Sequence, residues 1–576
     1  MTVQILRRPV PDNWQTRFPD LHPVLARVYA SREIKSTTEL EWGLEHLPPP
    51  NLMKGIDKAV ELLSAAVEKG QRILIVGDFD ADGATSTAVA LRAFHAMGAF
   101  DVHYLVPNRF EYGYGLTPEI VAVANEKKPD VIVTVDNGIA SIDGVNAARA
   151  LGIQVVVTDH HLPGDTLPEA DAIVNPNQYG CKFPSRAMAG VGVIFYVMLA
   201  LRAALRESGW FERCNLSVPN LAKLLDIVAL GTVADVVPLD HVNRILVAQG
   251  LARIRSGYCC VGIRALLEVA GRRVDQVVAA DMGFAVGPRL NAAGRLQDMS
   301  VGIQCLLADD PQQAKEVAEE LDNLNRERRS IEGEMQQQAM GYLGSLELDD
   351  ASELPSGLCL FHEEWHQGVI GILASRIKER FHRPVIAFAI ADDAYLKGSA
   401  RSVKGFHIRD GLDAVATRYP ELIQKFGGHA MAAGLSIKRS KLKDFVLAFD
   451  EEVRRHLSEE DLRGSVWSDG ELEPTDIQLQ LAESLRHAGP WGQGFPEPVF
   501  DGEFLLVNRR IVGEKHLKLQ VRAQGVSVPI DAIAFNTVDD HWPATVSRVK
   551  LAYKLDVNLF RDNRNLQLMV EHVEPI

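Results

Sequence analysis

The sequence predicts an α/β protein with a parallel sheet in its first large domain, a second α/β domain and a C-terminal β-barrel. Early in the chain, short apolar runs rich in Val and Ile alternate with helical stretches. Those runs are RILIVG (72–77), DVHYLV (101–106), VIVTV (131–135) and QVVVT (154–158). Such runs are typical of buried parallel strands joined by crossover helices. After about residue 465, five short strand-like segments follow one another, which favours a small barrel of the OB kind.

The length and the changes of pattern along the chain predict its domain organisation. The 576 residues are enough for about three or four domains at roughly 100–200 residues each. The predicted bounds are 1–50 for an N-terminal arm, 51–310 for the first α/β domain, 311–350 for a connector helix, 351–460 for the second α/β domain and 461–576 for the OB-like domain.

The connector helix is predicted from a polar segment, 311–345, that is rich in helix formers. Its apolar residues recur at spacings that fit one helical stripe, and they are Val317, Leu321, Leu324, Ile331 and Met335. A solvated helix on the surface of one domain is the alternative. We favour a long helix that bridges the two α/β domains.

Composition and charge exclude several classes of protein. Hydrophobic residues make up 47% of the chain and charged residues 24%, which is typical of a soluble globular protein. The six cysteines form no C-x-x-C pair, so neither a zinc-thiolate site nor a disulfide framework is expected. No signal-peptide core and no apolar run long enough to span a membrane is evident, so we expect a cytoplasmic protein. The net charge of −15 argues weakly against a nucleic-acid partner, although a local groove can still be basic.

Acidic and imidazole side chains follow several of the predicted strands. GDFDADG places Asp78, Asp80 and Asp82 after the first strand, and VDNG places Asp136 after the third. The fourth strand is followed by the triplet 159–161, Asp-His-His, and a later apolar helix ends near Asp235. Because ligands bind at the carboxyl ends of parallel strands, we expect these side chains to meet at one edge of the sheet.

This set of side chains predicts a site for divalent cations. Carboxylates at close range strongly raise one another's pKa unless a cation is present. Oxygen ligands with one or two imidazoles favour Mn²⁺ or Mg²⁺, and two such ions would suit hydrolysis of a phosphodiester. Asp78 has an alternative role, in which it supports the ligands from behind without binding a metal.

These motifs resemble the DHH phosphoesterase superfamily, whose motifs stand here in order as DFDADG, DNG, Asp159-His160-His161 and the segment around Asp235. The resemblance continues through GPRLNAAGR (287–295), WHQGVIGILASR (365–376), GSAR (398–401) and FGGHAMAAG (426–434), in a second domain similar to DHHA1. Over the whole chain the sequence is similar to the single-strand exonuclease family of that superfamily.

The resemblance implies a 5′-to-3′ exonuclease that degrades single-stranded DNA to mononucleotides with two divalent cations, in DNA repair and recombination. It implies that His161 faces the scissile phosphate and that Asp136 bridges the cations. The metal ligands that it implies are Asp80, Asp82, Asp136, His160 and Asp235, with Asp78 as a further candidate.

Further donors in these motifs are candidates for binding the DNA phosphates. They are Arg109, Arg289, Asn291, Arg295, Arg376, Ser399, Arg401 and His429. Arg109, Ser399 and Arg401 are the candidates for a pocket that recognises a terminal 5′ phosphate. For each arginine a structural ion pair is the alternative, and for the Gly-Gly-His segment it is a packing turn. Phe110, Tyr112 and Tyr114 either stack on bases or pack in the core.

Three other functions remain as alternatives. A DHH phosphodiesterase of short oligonucleotides or small phosphate substrates would not need the connector and the barrel. A scaffold without catalysis would not need its acidic ligands, all of which are present. A nucleotide-binding α/β protein is disfavoured because neither G-x-G-x-x-G nor G-x-x-x-x-G-K-[ST] occurs.

The sequence leaves the choice between Mn²⁺ and Mg²⁺ open, since the ligand types suit both ions. Single-stranded DNA is the expected partner. The resemblance also implies a single-strand-binding protein and a repair helicase, but no docking surface for them is evident in the sequence.

Overall fold

The computed structural model describes residues 3–107, 115–344, 354–513, 515–538, 542, 545–560 and 563–576. Within these residues the chain forms a first α/β unit, a second α/β unit and a closed barrel. The N-terminal segment comes before the first unit, and its elements are β1 (Gln4–Arg7), α1 (Trp14–Arg17) and α2 (Pro23–Ala30).

The first unit is built on a parallel sheet with the strand order β3-β2-β4-β5-β6. Its elements are α3 (Ile56–Lys69), β2 (Ile73–Gly77), α4 (Ala81–Ala96), β3 (Val102–Leu105), α5 (Pro118–Glu126), β4 (Val131–Val135), α6 (Ile142–Ala150), β5 (Gln154–Thr158) and β6 (Ala172–Val174). The four predicted strands are confirmed as β2 to β5. β6 is not predicted by the sequence, since three residues are too short for a periodic signal.

Helices complete the first unit and cover the sheet. They are α7 (Gly190–Glu207), α8 (Trp210–Arg213), α9 (Leu225–Ala234), α10 (His241–Arg255), α11 (Val261–Val269), α12 (Ala279–Asp281), α13 (Gly287–Leu296) and α14 (Ser300–Leu307). A π-helical turn, Met282–Val286, precedes α13. α4, α7 and α9 pack together and are buried on most faces, because their sequences are apolar or small nearly all round.

The predicted connector is confirmed as α15 (Pro311–Gly344). Its first half places Ala318 and Leu321 in the hydrophobic core of the first unit. Its second half places Met335 and Ala339 in a core that it shares with the second unit. The helix is therefore buried against both units, which excludes the alternative of a solvated surface helix. No helix in the described parts of the chain, α15 included, is both long and apolar enough to cross a membrane.

The second unit has a mixed sheet with the strand order β10-β11-β9-β8-β7. Its elements are β7 (Leu358–Phe361), α16 (Ile370–Phe381), β8 (Val385–Ile390), β9 (Tyr395–Arg401), α17 (Ile408–Arg418), β10 (Lys425–Gly428), β11 (Ala432–Lys438) and α18 (Leu442–His456). The apolar runs GLCLF and PVIAFAI predict strands and GVIGILASRIKER predicts a helix between them, and these segments form β7, β8 and α16. β7 and β8 are parallel, whereas the other neighbours are antiparallel.

The C-terminal domain is a closed barrel with the strand order β13-β14-β15-β17-β16, as the OB prediction requires. Its elements are β12 (Ser465–Ser468), α19 (Leu479–His487), β13 (Phe500–Val512), β14 (His516–Ala523), β15 (Ile530–Ala534), β16 (Arg548–Phe560) and β17 (Asn563–Pro575). β12 lies outside the barrel and pairs in parallel with β1 at the opposite end of the sequence.

Because α15 is buried against both units, substitutions in its apolar stripe test this architecture. Leu321 is fully buried in the core of the first unit. Truncating a buried Leu to Ala costs about 2–5 kcal/mol of unfolding free energy. Leu321→Ala should therefore lower the unfolding free energy by that amount in urea or thermal denaturation. Glu320→Ala, on the exposed face of the same helix, is the matched control and should change it little. Equal effects of the two substitutions would contradict this placement.

Candidate metal centre

Three parallel strands end at the same edge of the sheet, and each is followed by acidic or imidazole side chains. β2 leads to Asp78, Asp80 and Asp82, β4 leads to Asp136, and β5 leads to the triplet 159–161. Asp235 arrives from another direction, since it caps the carboxyl end of α9. The predicted meeting of these groups at one sheet edge is therefore what the structure contains.

The side chain of His160 lies at the centre of this cluster. Its Nε2 is 3.1 Å from Asp136 Oδ1 and 3.6 Å from Asp235 Oδ2. The same atom is 3.9 Å from Asp82 Oδ2. Among the described residues, three overlapping groups have ligand atoms within 4.8 Å of one another, namely Asp82-His160-Asp235, Asp136-His160-His161 and Asp78-Asp80-Asp136.

The carboxylate of Asp82 is held by the amino end of α7. Its two oxygens accept hydrogen bonds from Gly190 N at 2.6 Å and from Val191 N at 2.9 Å. The N-terminus of a helix favours negative charge, so α7 stabilises this carboxylate and fixes its direction. Gly190 has to lack a side chain, because a Cβ there would lie 2.6 Å from Asp136 Cβ.

Asp80 and Asp136 are fixed by their backbone as well. Asp80 is the N-cap of α4, and its Oδ1 accepts hydrogen bonds from the backbone N–H groups of Asp82 and Gly83. Asn291 Oδ1 accepts the N–H of Ala81 at 2.8 Å, which ties α13 to the same turn. Asp136 has a φ of 61°, in the left-handed region that few non-glycine residues adopt. Such local strain is typical of functional sites.

The electrostatics of the cluster favour a bound cation. Burial, followed by the charge of neighbouring aspartates, raises the pKa of Asp82 and of Asp136 well above the usual range. Burial and Asp80 raise the pKa of Asp235 to about 7. Burial and the nearby His161 lower the pKa of His160 to about 4, so its imidazole is neutral and able to bind a metal.

The donor set fits a hard divalent cation. Within the described residues, His160 Nε2 and Asp235 Oδ2 are buried atoms that lack a partner with hydrogen-bond geometry. Buried polar atoms without hydrogen bonds are rare and call for an explanation such as an ion. Carboxylate oxygens with one imidazole match Mn²⁺ or Mg²⁺ better than a thiolate metal site.

Asp159 orients His161 and was given no role in the sequence analysis. Its Oδ1 lies 2.7 Å from His161 Nδ1, and its Oδ2 accepts the N–H of Ile139. Burial lowers the pKa of His161, but the hydrogen bond and the charge of Asp159 outweigh burial and raise that pKa to about 9. His161 is thereby favoured in its protonated form.

Two asparagines after β6 also support the histidines, and the sequence analysis missed both of them. Asn177 Nδ2 donates to the carbonyl of His160 at 2.5 Å, and Asn175 Nδ2 donates to the carbonyl of His161 at 2.9 Å. The segment VNPN, which directly follows an apolar run, is a signal that could have found them. These contacts fix the backbone of the triplet in one conformation.

Two of the predicted phosphate donors lie together in the second unit, and a third contacts that unit from α13 of the first. Arg401 Nη1 donates to Ser399 Oγ at 3.2 Å on β9. Gly371, near the amino end of α16, lies beside both groups, and a Cβ there would be 3.0 Å from Ser399 Oγ and from Arg401 Nη2. Arg295 donates to the carbonyl of Gly368 at 3.0 Å, just before the same helix.

His429 reaches the metal centre from the second unit. It lies in the turn between β10 and β11, and its ring stacks on that of His161 at a centroid distance of 6.5 Å. Gly428, with a φ of 147°, makes this tight turn possible, because a Cβ would lie 2.4 Å from the carbonyl oxygen of Ala432. The interpretation as a packing turn therefore applies to Gly428, and the phosphate contact of His429 stays a prediction.

Three predicted phosphate donors are engaged elsewhere. Arg289 is buried and forms an ion pair with Asp322 of α15, with nitrogen–oxygen distances of 2.9 and 2.7 Å. Arg376 pairs with Glu332 and Glu379. The Asn291 side-chain oxygen accepts the N–H of Ala81, as described above. For the two arginines this geometry does not support the predicted phosphate role and fits the alternative of structural ion pairs.

Arg109, Phe110, Tyr112 and Tyr114 lie outside the described residues. Their predicted roles in binding phosphate and bases stay predictions.

Comparison with known proteins identifies the class to which this fold and site belong. The family model of the DHH family N-terminal domain matches residues 72–232, and that of the DHHA1 domain matches residues 354–455. The model of the RecJ OB domain matches residues 468–572. The chain is thus a DHH-type phosphoesterase with a DHHA1 domain and an OB domain.

Full-length relatives narrow this class further. The single-stranded-DNA-specific exonuclease RecJ of Escherichia coli (strain K12) is 55% identical over 575 residues, which is 100% of this chain and 99% of the relative. Crystal structures of RecJ from Thermus thermophilus in complex with Mn²⁺ and with Mg²⁺ match with TM-scores of 0.81 and 0.75. They are 29% and 28% identical and cover all of this chain and 79% and 78% of theirs. The chain belongs to the RecJ family of single-stranded-DNA-specific exonucleases.

A cation in this centre should stabilise the folded chain. A ligand at a concentration of 100 times its Kd adds about 2.7 kcal/mol to the unfolding free energy. Mn²⁺ should therefore raise the thermal midpoint of the parent chain, and Asp136→Ala should remove most of this gain. Asp165→Ala, which changes an exposed acid outside the cluster, is the control and should keep the gain. If Asp136→Ala responded to Mn²⁺ as fully as the control, the assigned centre would be wrong.

Proposed function

We propose that the chain removes mononucleotides from the 5′ end of single-stranded DNA by two-metal hydrolysis of the phosphodiester. The metal-dependent exonuclease activity and the single-stranded DNA substrate follow from membership of the family. The polarity, the product and the number of cations are our proposal. The observation that carries it is the position of Asp136, which belongs to the ligand group Asp78-Asp80-Asp136 and also lies 3.1 Å from His160 of the group Asp82-His160-Asp235.

The shared carboxylate supports a centre with two cations. Two divalent cations about 3.5–4 Å apart would stabilise both the attacking and the leaving oxygen of a phosphoryl displacement. In this chain Asp136 would bridge them. The other proposed ligands are Asp80, Asp82, His160 and Asp235, and Asp78 is a further candidate because it belongs to one of the ligand groups.

His161 is the proposed donor to the scissile phosphate. The Asp159 contact fixes the ring and favours its protonated form. With Nδ1 bound to Asp159, a donation to the phosphate would come from Nε2. A positive donor that is fixed before the reaction stabilises the charge that develops on the phosphate oxygens. His429 lies beside it and is a proposed contact of the same phosphate or the next one.

A site for the 5′ phosphate is proposed at Ser399 and Arg401. Arg401 can bind phosphate with two parallel hydrogen bonds, and Ser399 and the amino end of α16 add further donors beside it. Burial lowers the pKa of Arg401, which means that a bound anion would favour its charged form. Arg109 is the third proposed member and comes from the sequence analysis alone.

A cleft between the first unit and the barrel supports a path for the strand. Its cavity volume is about 720 Å³, and Val236, which directly follows Asp235 in the chain, and Phe284 line it on the side of the first unit. Both side chains are exposed, at 63% and 79%. Trp491 and Lys554 line the side of the barrel. An aromatic surface beside cations suits unpaired bases and their phosphates whatever the base sequence.

The cellular setting is also a proposal. DNA repair in the cytoplasm is the setting that this activity implies, with a helicase supplying single strands and a single-strand-binding protein covering them. The family resemblance supports these two partners, and no surface is assigned to either of them.

End-labelled single strands test polarity and metal dependence together. A strand with a 5′ label should release a labelled mononucleotide from the first turnovers, in Mn²⁺ or Mg²⁺ only. A strand with a 3′ label should keep its label in long products until late. Early release of a labelled mononucleotide from the 3′ end would contradict the polarity. Digestion in excess chelator would contradict the metal centre.

Arg401→Ala tests the proposed phosphate pocket. Losing a hydrogen bond between charged groups costs about 1.5–3 kcal/mol, so kcat/KM should fall about 10- to 100-fold. This fall should appear on strands with a 5′ phosphate and be much smaller on strands with a 5′ hydroxyl. Arg289→Ala is the matched control, because its ion pair with Asp322 predicts lower thermal stability with an unchanged preference between the two strands. An equal loss of Arg401→Ala on both strands would exclude the pocket.

A further inference from the structure

We propose that residues 3–34 form an N-terminal clamp that holds the barrel in a fixed position against the first unit, with Arg32 as its positioning residue. This inference rests on the proposed function, because its consequence is measured as binding of a DNA strand. The sequence analysis interpreted this part of the chain only as an arm that leads into the first domain.

The beginning of the clamp is tied to the barrel domain by a strand and an ion pair. β1 pairs in parallel with β12 over its whole length, from Gln4↔Ser465 to Arg7↔Ser468. The guanidinium of Arg7 binds both oxygens of Asp501 at the start of β13, with nitrogen–oxygen distances of 3.0 and 2.7 Å. The N-terminal segment is therefore joined directly to the C-terminal domain.

α2 is shared by the hydrophobic cores of two units. Val24 and Val28 belong to the core of the barrel. Ala26, Tyr29 and Ala30 on the same short helix belong to the core of the first unit. Separating the barrel from the first unit would expose one face of this helix, and burial of apolar surface stabilises by about 25 cal/mol per Å².

Arg32 forms a buried ion pair at the end of this helix. Its side chain is 1% exposed and that of Asp469 is 0% exposed. Nη1 and Nη2 bind the two carboxylate oxygens at 2.7 and 3.0 Å, and Ser31 Oγ donates to the same carboxylate at 2.9 Å. Arg8 Nε also lies near this carboxylate, at 3.8 Å, but removing Arg32 would take away the two short hydrogen bonds that hold the buried Asp469 in this geometry.

The clamp also contacts residues 488–497, which join α19 to the barrel and which we call the neck. Arg32 Nε donates to the carbonyl of Pro496 at 2.8 Å. The ring of Tyr29 stacks on Trp491 and Phe495 at centroid distances of 6.0 and 6.4 Å. The guanidinium of Arg244 of the first unit lies over the ring of Phe495, 4.5 Å from its centroid.

The neck in turn contacts the segment that carries a proposed metal ligand. Leu239 N donates to the carbonyl of Gln493 at 2.7 Å, and Leu239 follows closely after Asp235 in the chain. A continuous series of contacts thus runs from Arg32 through the neck to the edge of the metal centre. These contacts fix the barrel relative to that centre, and Leu239, Trp491 and Gln493 also line the cleft that is the proposed path of the strand.

A fixed barrel would hold a long strand at a constant distance from the metal centre. Domains within one chain often move relative to one another, so a rigid arrangement needs specific contacts such as those of the clamp. If the clamp opens, the barrel still binds DNA but no longer presents it in line with the centre. Productive binding of long strands then weakens, whereas hydrolysis of a substrate too short to reach the barrel does not change.

Arg32→Ala tests the clamp by the dependence of rate on substrate length. The long substrate is a single strand of about 30 nucleotides, beyond the roughly 4–16 nucleotides that one OB fold holds. The short substrate is a dinucleotide with a 5′ phosphate. For Arg32→Ala, KM on the long strand should rise about tenfold, while kcat/KM on the dinucleotide stays within about twofold of the parent value.

Arg17→Ala is the matched control, because Arg17 donates hydrogen bonds to Ile34 and Asn13, both within the clamp. It should leave the KM and kcat/KM for both substrates unchanged. If Arg32→Ala does not fold, two milder variants take its place, namely Ser31→Ala and Asp469→Asn. Both should raise KM on the long strand and leave kcat/KM on the dinucleotide unchanged. If Arg32→Ala lowered kcat/KM equally on the two substrates, or on neither, the proposed clamp would be wrong.

Small-angle scattering makes the inference independent of DNA cleavage. The parent chain should be compact, and Arg32→Ala should have a larger radius of gyration with unchanged secondary structure by circular dichroism. If the parent cut neither substrate, the proposed function would fail, and the scattering result alone would decide on the clamp. An unchanged radius of gyration would overturn the clamp even in an active enzyme.

Discussion

Buried carboxylates that repel one another are the constraint on which the rest of the structure depends. Asp82 and Asp136 are almost inaccessible to water, and burial together with the charge of neighbouring aspartates raises the pKa of both. Charge of one sign at this density is unstable in a protein interior unless a cation compensates it. The ends of β2, β4 and β5 and the N-terminus of α7 converge on these carboxylates. This convergence makes the sheet edge a site for divalent cations.

The surrounding elements serve to keep these groups at fixed positions. The amino end of α7 orients Asp82, Asn291 of α13 holds the turn of Asp80, and two asparagines hold the backbone of the histidines. At a larger scale, α15 connects the first unit to the second, which brings His429 to His161. Side chains from two units therefore meet beside the metal centre.

Much of the fold and most of the metal cluster followed from the sequence, because parallel strands carry a strong local signal. An apolar run followed by Asp78 or Asp136 specifies both a strand and the sheet edge at which it ends. Contacts between distant segments carry no such signal. The role of Asp159 depends on a hydrogen bond made after folding, and the pairing of Arg289 with Asp322 depends on the packing of α15. The sharing of α2 between two cores was not predictable, since its apolar pattern does not say which partner covers each face.

Manganese stoichiometry and position test the central claim most directly. Anomalous diffraction at the manganese edge, from crystals grown with Mn²⁺, locates each bound ion without reference to activity. We predict two strong anomalous peaks on either side of the Asp136 carboxylate, one within bonding distance of His160. A single peak, or peaks away from Asp136, would contradict a two-cation centre at this edge of the sheet.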